Sequence, residues 1–209
     1  MSQSWRDHIL QAFTPQVARL TIVADPDGLL TEEGNVAELR ARVASHLSRY
    51  SQPILVERYI AGREVMVGLV GNLPDVTFMP ILELDHAAYG VNHSGVYTNE
   101  MKTLYGLDQY RYHCPAPLSE AQTRELQYLA AETFRATDCR DVSRIDFRLD
   151  ANDNDKPYIL EINPLPGLNP GFSDLCLQAL AAGWEHDRLV GAIVEAALVR
   201  HGLHETIRA

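Results

Sequence analysis

The chain has 209 residues, 46% of them hydrophobic and 22% charged, with a formal charge of −10 at pH 7. This is ordinary globular material, long enough to bury roughly 70% of its unfolded surface in one or two domains. The acidic balance, with no offsetting basic arm or stripe, argues against nucleic acid and anionic membranes as partners and leaves an anionic substrate dependent on a cation or a few placed arginines.

In chain order, the apolar positions Trp5, Ile9, Leu10 and Phe13 predict a short amphipathic helix over 3–13, stopped before Pro15. VARLTIVA (17–24) reads as a strand and DPDG (25–28) as a turn. Over 35–50 the apolar residues Val36, Leu39, Val43, Leu47 and Tyr50 recur three and four apart, which predicts a helix. Three strand-like runs follow, PILVERYI (53–60), EVMVGLVG (64–71) and DVTFMPILEL (75–84), with AGR (61–63) short enough to join the first two as a hairpin. From 85 to 117 no period is sustained, as expected of a functional flap or lid. Ser119 and Gln122 form a capping-box pattern that opens a helix running to about residue 138. A hairpin over 144–163, a loop rich in proline and glycine, and helices over 173–182 and 187–200 complete the chain. The expected class is α+β, an antiparallel sheet with flanking helices that cover mainly one face.

Cys114, Cys139 and Cys176 are far apart and odd in number, and the eight histidines are scattered, so neither a disulfide framework nor a histidine metal site is suggested. MSQSWRDHIL lacks the basic-then-apolar order of a signal peptide, and no apolar run approaches the roughly 18 residues of a membrane span. A cytoplasmic location with no membrane partner is expected.

The hairpin carries the chemistry. Strand alternation sends Arg144, Asp146 and Arg148 to one face and Ile145, Phe147 and Leu149 to the other. Matching apolar to apolar pairs Leu149 with Tyr158, Phe147 with Leu160 and Ile145 with Ile162, which sets Asp146 opposite Glu161 and Arg144 opposite Asn163. Like charges directly opposite repel by roughly 4 kcal/mol at an effective dielectric near 20. Two readings stand: a hard, all-oxygen site for Mg²⁺, or a solvated face on which Arg144 and Arg148 pair with the acids. Asp150, Asn152, Asn154 and Glu161 also fall at calcium-loop spacing, but Asp155 stands where the loop needs glycine, so NDND reads as turn chemistry.

RIDFRLD and YILEINPLPGLNP resemble the metal-binding hairpin of ATP-grasp ligases, closest to the C-terminal half of D-alanine–D-alanine ligase-like proteins, which read R-[IV]-D then E-[IAV]-N-x-x-P-G. VERYIAGREVMVGLVG resembles that family's adenine and ribose segment, and the likeness runs over about 35–203. The resemblance implies that Asp146, Glu161 and Asn163 hold Mg²⁺, or Mn²⁺, against the phosphates of ATP. It implies that Arg144 stabilises the oxyanion of a tetrahedral intermediate. Glu57, Tyr59 and Ile60 would hold adenine and Glu64 the ribose hydroxyls. Lys102, one of two lysines in the chain, would reach the nucleotide phosphates from a lid.

Gly167 and Ser173 are the implied substrate-binding positions, Ser173 lying one residue from where the family places a serine and equally placed to cap the next helix. NPLP also departs from the family's small polar pair after the asparagine. The implied fold is ATP-grasp-like, with 1–60 a partial small subdomain and 61–209 the C-terminal subdomain. HILQAFTPQVARLTIVADPDGLL carries no lysine and no glycine-rich loop, so the substrate domain and much of the phosphate-gripping domain are expected to be missing. The implied activity is ATP-dependent joining of a carboxylate to an amine on an amino-acid-like substrate, with a homodimer or complementary chain to supply the missing part. The alternative is a truncated, non-catalytic remnant that binds nucleotide or a partner.

Overall fold

The computed structural model describes residues 21–23, 36–51, 55–57, 60–85 and 111–203. The predicted helix over 3–13, the turn at 25–28 and most of the irregular segment lie outside them. The described residues fall into two units, those up to Ile60 and those from Ala61 onward. No helix of the described residues is long and apolar enough to cross a membrane.

In the first unit β1 (Thr21–Val23) pairs antiparallel with β2 (Leu55–Glu57), and α1 (Val36–Tyr50) follows the predicted helical period. Val43 and Leu47 are half-buried on α1 while Ala44, Ser45 and Ser48 are exposed, the two-faced arrangement of a surface helix.

The second unit is a six-stranded antiparallel sheet. Its strands are β3 (Gly62–Val70), β4 (Thr77–Phe78), β5 (Leu82–Leu84), β6 (Tyr112–His113), β7 (Val142–Asp150) and β8 (Lys156–Asn163). They lie in the order β6-β5-β3-β7-β8, with β4 also on β3. Among the described residues the hairpin expected at AGR is not seen: β2 pairs with β1, and β3 with β4, β5 and β7. Gly62 instead opens β3, opposite Asp150 of β7, and a Cβ there would stand 1.8 Å from the Leu149 carbonyl oxygen. The glycine serves a close approach of two backbones and not a turn. The single strand expected over 75–84 is broken into β4 and β5 around Pro80, whose nitrogen has no hydrogen to give to a ladder. The Gln178 amide crosses this break, donating to the carbonyl oxygens of Met66 at 2.8 Å and Pro80 at 3.0 Å.

Helices flank the sheet as expected, covering one face broadly and the other at one end. On one face Val65, Val67, Leu69, Ile145, Phe147 and Leu149 meet Leu126, Ala130 and Phe134 of α2 (Glu120–Ala136). Ser119 caps α2 as its spacing predicts: its hydroxyl accepts from the Gln122 amide and the Gln122 side chain accepts from the Ser119 amide. At one end of the other face, Val70 and Val142 pack with Leu175, Cys176 and Ala179 of α3 (Asp174–Ala181) and Leu189 of α4 (His186–Arg200). The rest of that face holds Arg144, Asp146, Arg148 and Glu64 beside the buried apolar Met66, Leu82 and Leu84.

Candidate functional site

The register of β7 on β8 places Asp146 opposite Glu161, Arg144 opposite Asn163 and Ile145 opposite Ile162, as the alternation predicts. The other two expected pairs are not formed. A β-bulge between Asp146 and Phe147 absorbs Leu160, so that Phe147 faces Ile159 and Leu149 faces Pro157. Two residues of β8 oppose one of β7 there, which changes which side chains share a face beyond that point. The segment NDND lies in the turn, as read, and just before it the Asp150 side chain accepts from the Asn152 amide at 3.0 Å, an Asx turn.

Arg144 is 9% exposed and Asp146 4%, so the β7 side of the site is buried, while on the edge strand β8 Glu161 is exposed and Asn163 half-buried. The guanidinium is shared. Its Nε and Nη2 donate to the two oxygens of Asp146 at 2.8 and 2.9 Å, and its Nη1 donates to Asp174 Oδ2 at 2.8 Å. The Asn163 amide donates to both Asp146 Oδ2 and Glu161 Oε1 at 3.1 Å, which ties the two facing carboxylates together. Two rungs along, Arg148 and Glu64 form a buried pair at 3.0 Å. The pairing expected of the arginines is therefore present, yet between groups that water does not screen.

Burial pushes the Asp146 carboxyl up to about 6; the hydrogen bonds and charge of Arg144 pull it down, while Glu161 adds to the rise. For Arg144 burial works against the charge, but the hydrogen bonds to Asp146 and the negative charges of Asp146, Asp174 and Glu161 outweigh it, so its pKa is raised. The site holds excess negative charge around one fixed cation.

The donor set suits a hard divalent cation. Two carboxylates and an amide meet on one sheet face, and a half-turn of the Asn163 amide would replace its N–H by an oxygen between Asp146 and Glu161. No group of three His, Cys, Asp or Glu side chains gathers to hold a metal among the described residues. The arrangement therefore fits an ion that keeps water or takes ligand oxygens, as Mg²⁺ does with phosphates.

The structure brings Glu64 onto the same face as Asp146, where it is 6% exposed against Arg148. Glu57 ends β2 opposite Thr21 in the first unit, and Ile60 is half-buried in that unit. Tyr59 and Lys102 lie outside the described residues. Ser173 stands at the N-cap position of α3 without capping it; its hydroxyl accepts instead from the Asn169 amide at 2.9 Å. It also packs on Gly167, where a Cβ would meet Ser173 Oγ at 2.7 Å. The two positions are thus brought together in one tight loop.

Asp174 is the partner that sequence reasoning missed. A signal existed in Gly68, which interrupts the apolar run EVMVGLV. It lies opposite Arg144, and a Cβ there would stand 2.6 Å from Leu175 Cδ1 and 2.7 Å from Gln178 Oε1. A glycine inside a strand marks a close approach, and here what approaches is α3, with Asp174 at its start.

The family model described as "D-ala D-ala ligase C-terminus" matches residues 30–195. A D-alanine–D-alanine ligase of Herminiimonas arsenicoxydans is 34% identical over 146 residues, 64% of this chain and 41% of the relative. One from a Synechococcus strain is 30% identical over 205 residues, 96% of this chain and 57% of the relative. The solved structure of the Bacillus anthracis D-alanine–D-alanine ligase complexed with ATP superposes with a TM-score of 0.66 at 21% identity, covering 94% of this chain and 58% of that one. The chain spans about half the length of the curated relatives it matches.

Proposed function

The chain belongs to the D-alanine–D-alanine ligase C-terminal family, with an ATP-grasp fold, and we propose that it carries the Mg²⁺ and ATP site of an ATP-dependent carboxylate–amine ligase. The observation that supports this most directly is the meeting of Asp146, Glu161 and Asn163 beside Arg144 on one sheet face, with Asp146 and Arg144 buried and Glu161 open to solvent. The reaction would transfer the γ-phosphoryl group of ATP to a substrate carboxylate, giving ADP and an acyl phosphate. An amine would then attack the acyl carbon, and phosphate would leave as the amide forms.

Mg²⁺ held by Asp146, Glu161 and Asn163 would neutralise the phosphoryl oxygens. The protein's own part is positioning, with the buried Arg144 and Asp146 placed where fixed charges act more strongly than in solvent. Arg144 is suited to meet an oxyanion because its charge is permanent and its donors form a rigid fork. Glu57, Tyr59 and Ile60 would hold adenine, Glu64 the ribose, and Lys102 the phosphates. The tight Gly167 and Ser173 loop would bound the substrate, which is amino-acid-like in this reading.

Calorimetry of the whole chain with Mg²⁺ and ATP tests the reading. Binding that needs both components, and that Asp146→Ala and Glu161→Ala each abolish, is the expected result. A chain that takes up no Mg²⁺ and ATP, or variants that bind as the parent does, would remove the proposal.

A further inference from the structure

Asp174 is a buried carboxylate that the proposed cation site does not use. It is 7% exposed, and it accepts from Arg144 Nη1 at 2.8 Å while both oxygens of Asp146 take the other two donors of the fork. One guanidinium therefore lies between two carboxylates with different duties: Asp146 belongs to the cation set, and Asp174 comes from another element. Asp174 is also firmly placed. Its neighbour Leu175 and the nearby Gln178 sit directly on the backbone of Gly68, and the Gln178 amide bonds to the Met66 and Pro80 carbonyl oxygens. An aspartate in the first turn of a helix is ordinary when it faces solvent; this one turns inward, onto the arginine of the site.

Resting on the Mg²⁺ and ATP reading above, we infer that Asp174 is a positioning residue that retains Arg144 when Asp146 gives its oxygens to the cation. In the structure Arg144 is itself the positive partner of Asp146, so a divalent ion shares with Nε and Nη2, or takes from them, the oxygens that they now bond. A guanidinium displaced within a buried layer is costly to leave unpaired. The Nη1 bond to Asp174 keeps a counter-charge on Arg144 through that exchange, and leaves Nε and Nη2 free to face a developing oxyanion. Asp174 thus acts on cation affinity through Arg144 without touching the cation.

Mn²⁺ titration of the full chain in the presence of ATP, with free ion counted by electron paramagnetic resonance, tests this. Asp174→Asn is expected to weaken Mn²⁺ binding about 10- to 100-fold, the usual effect of removing a group that orients a site from behind. Asp174→Glu keeps the charge and is expected to stay within about threefold of the parent. In an Arg144→Gln background, where there is no guanidinium to retain, Asp174→Asn is expected to change affinity little. Parent-like affinity in Asp174→Asn overturns the proposal, as does an equal loss in the Arg144→Gln background, which is what a purely structural role would give. Asp174→Ser, smaller and uncharged, is read the same way if the amide variant loses its folded circular-dichroism spectrum. A parent chain that binds no Mn²⁺ with ATP overturns the site reading and this inference together; binding by the parent with unaffected Asp174 variants overturns the inference alone.

Discussion

Replacing Arg144 with methionine keeps much of the apolar stem but removes three hydrogen bonds, two to Asp146 and one to Asp174. Two buried carboxylates then lose the cation between them, and breaking a buried ion pair from one side costs about 3–5 kcal/mol. The cost must depend on pH. Asp146 titrates at about 6 even with Arg144 pulling it down, so losing the guanidinium sends its pKa higher. A group whose folded pKa lies above its unfolded value, about 3.9 for aspartate, lends stability at low pH that is lost as pH rises through the folded pKa. Parent and variant both gain on acidification from pH 8 to pH 5, and the variant gains more. Each tenfold increase in the proton affinity of Asp146 is worth about 1.4 kcal/mol. Urea unfolding with a chelator present is expected to show the full penalty at pH 8 and one smaller by about 1–3 kcal/mol at pH 5. A penalty below about 1 kcal/mol at pH 8, or one that acidification leaves unchanged, would refute the argument that Arg144 holds two buried charges.

Gly62→Ala puts a methyl group into the Leu149 carbonyl from a backbone at φ 147°; a loss of at least about 2 kcal/mol is expected, and an unchanged melting temperature would contradict the close approach of β3 and β7. Gly68→Ala overpacks Leu175 and Gln178 and is expected to cost about 1–3 kcal/mol in urea titrations, whereas a neutral or stabilising result would mean that α3 does not sit on that backbone. Burial pushes the Cys114 thiol up to about 11, so roughly one molecule in a thousand carries the thiolate at pH 8. Iodoacetamide should therefore label it far more slowly than a free cysteine in mass-spectrometric time courses, and labelling at the free rate would refute its burial.

The part of the site nearest the strand ends was legible because a period of two leaves little freedom: once Ile145 meets Ile162, Asp146 must meet Glu161. Legibility stopped at Leu160. A bulge made by an ordinary apolar residue has no glycine or proline to announce it, so the pairs beyond it were read one residue out. Gly62 failed for the opposite reason: a glycine between two strand-like runs has the signature of a turn, and the contact that requires it, the Leu149 carbonyl, is about 90 residues away in sequence. Asp174 was invisible in the same sense. An acid following a serine at a helix start is common, and only the docking of α3 on Gly68 turns it toward Arg144. The capping box of α2 was readable because all its atoms lie within four residues.

The bulge at Leu160 also divides the hairpin into two mechanically separate halves. Register on the Glu161 and Asn163 side is set by Asp146 and Arg144, and a strand that already accommodates one surplus residue has a place to absorb another. Length changes in the turn after Asp150 can therefore be taken up before they reach Glu161. A hairpin without the bulge would transmit any odd shift along its whole length and turn Glu161 to the opposite face. The irregularity insulates the charged end from the turn, and leaves the turn free to vary while the carboxylates stay in place.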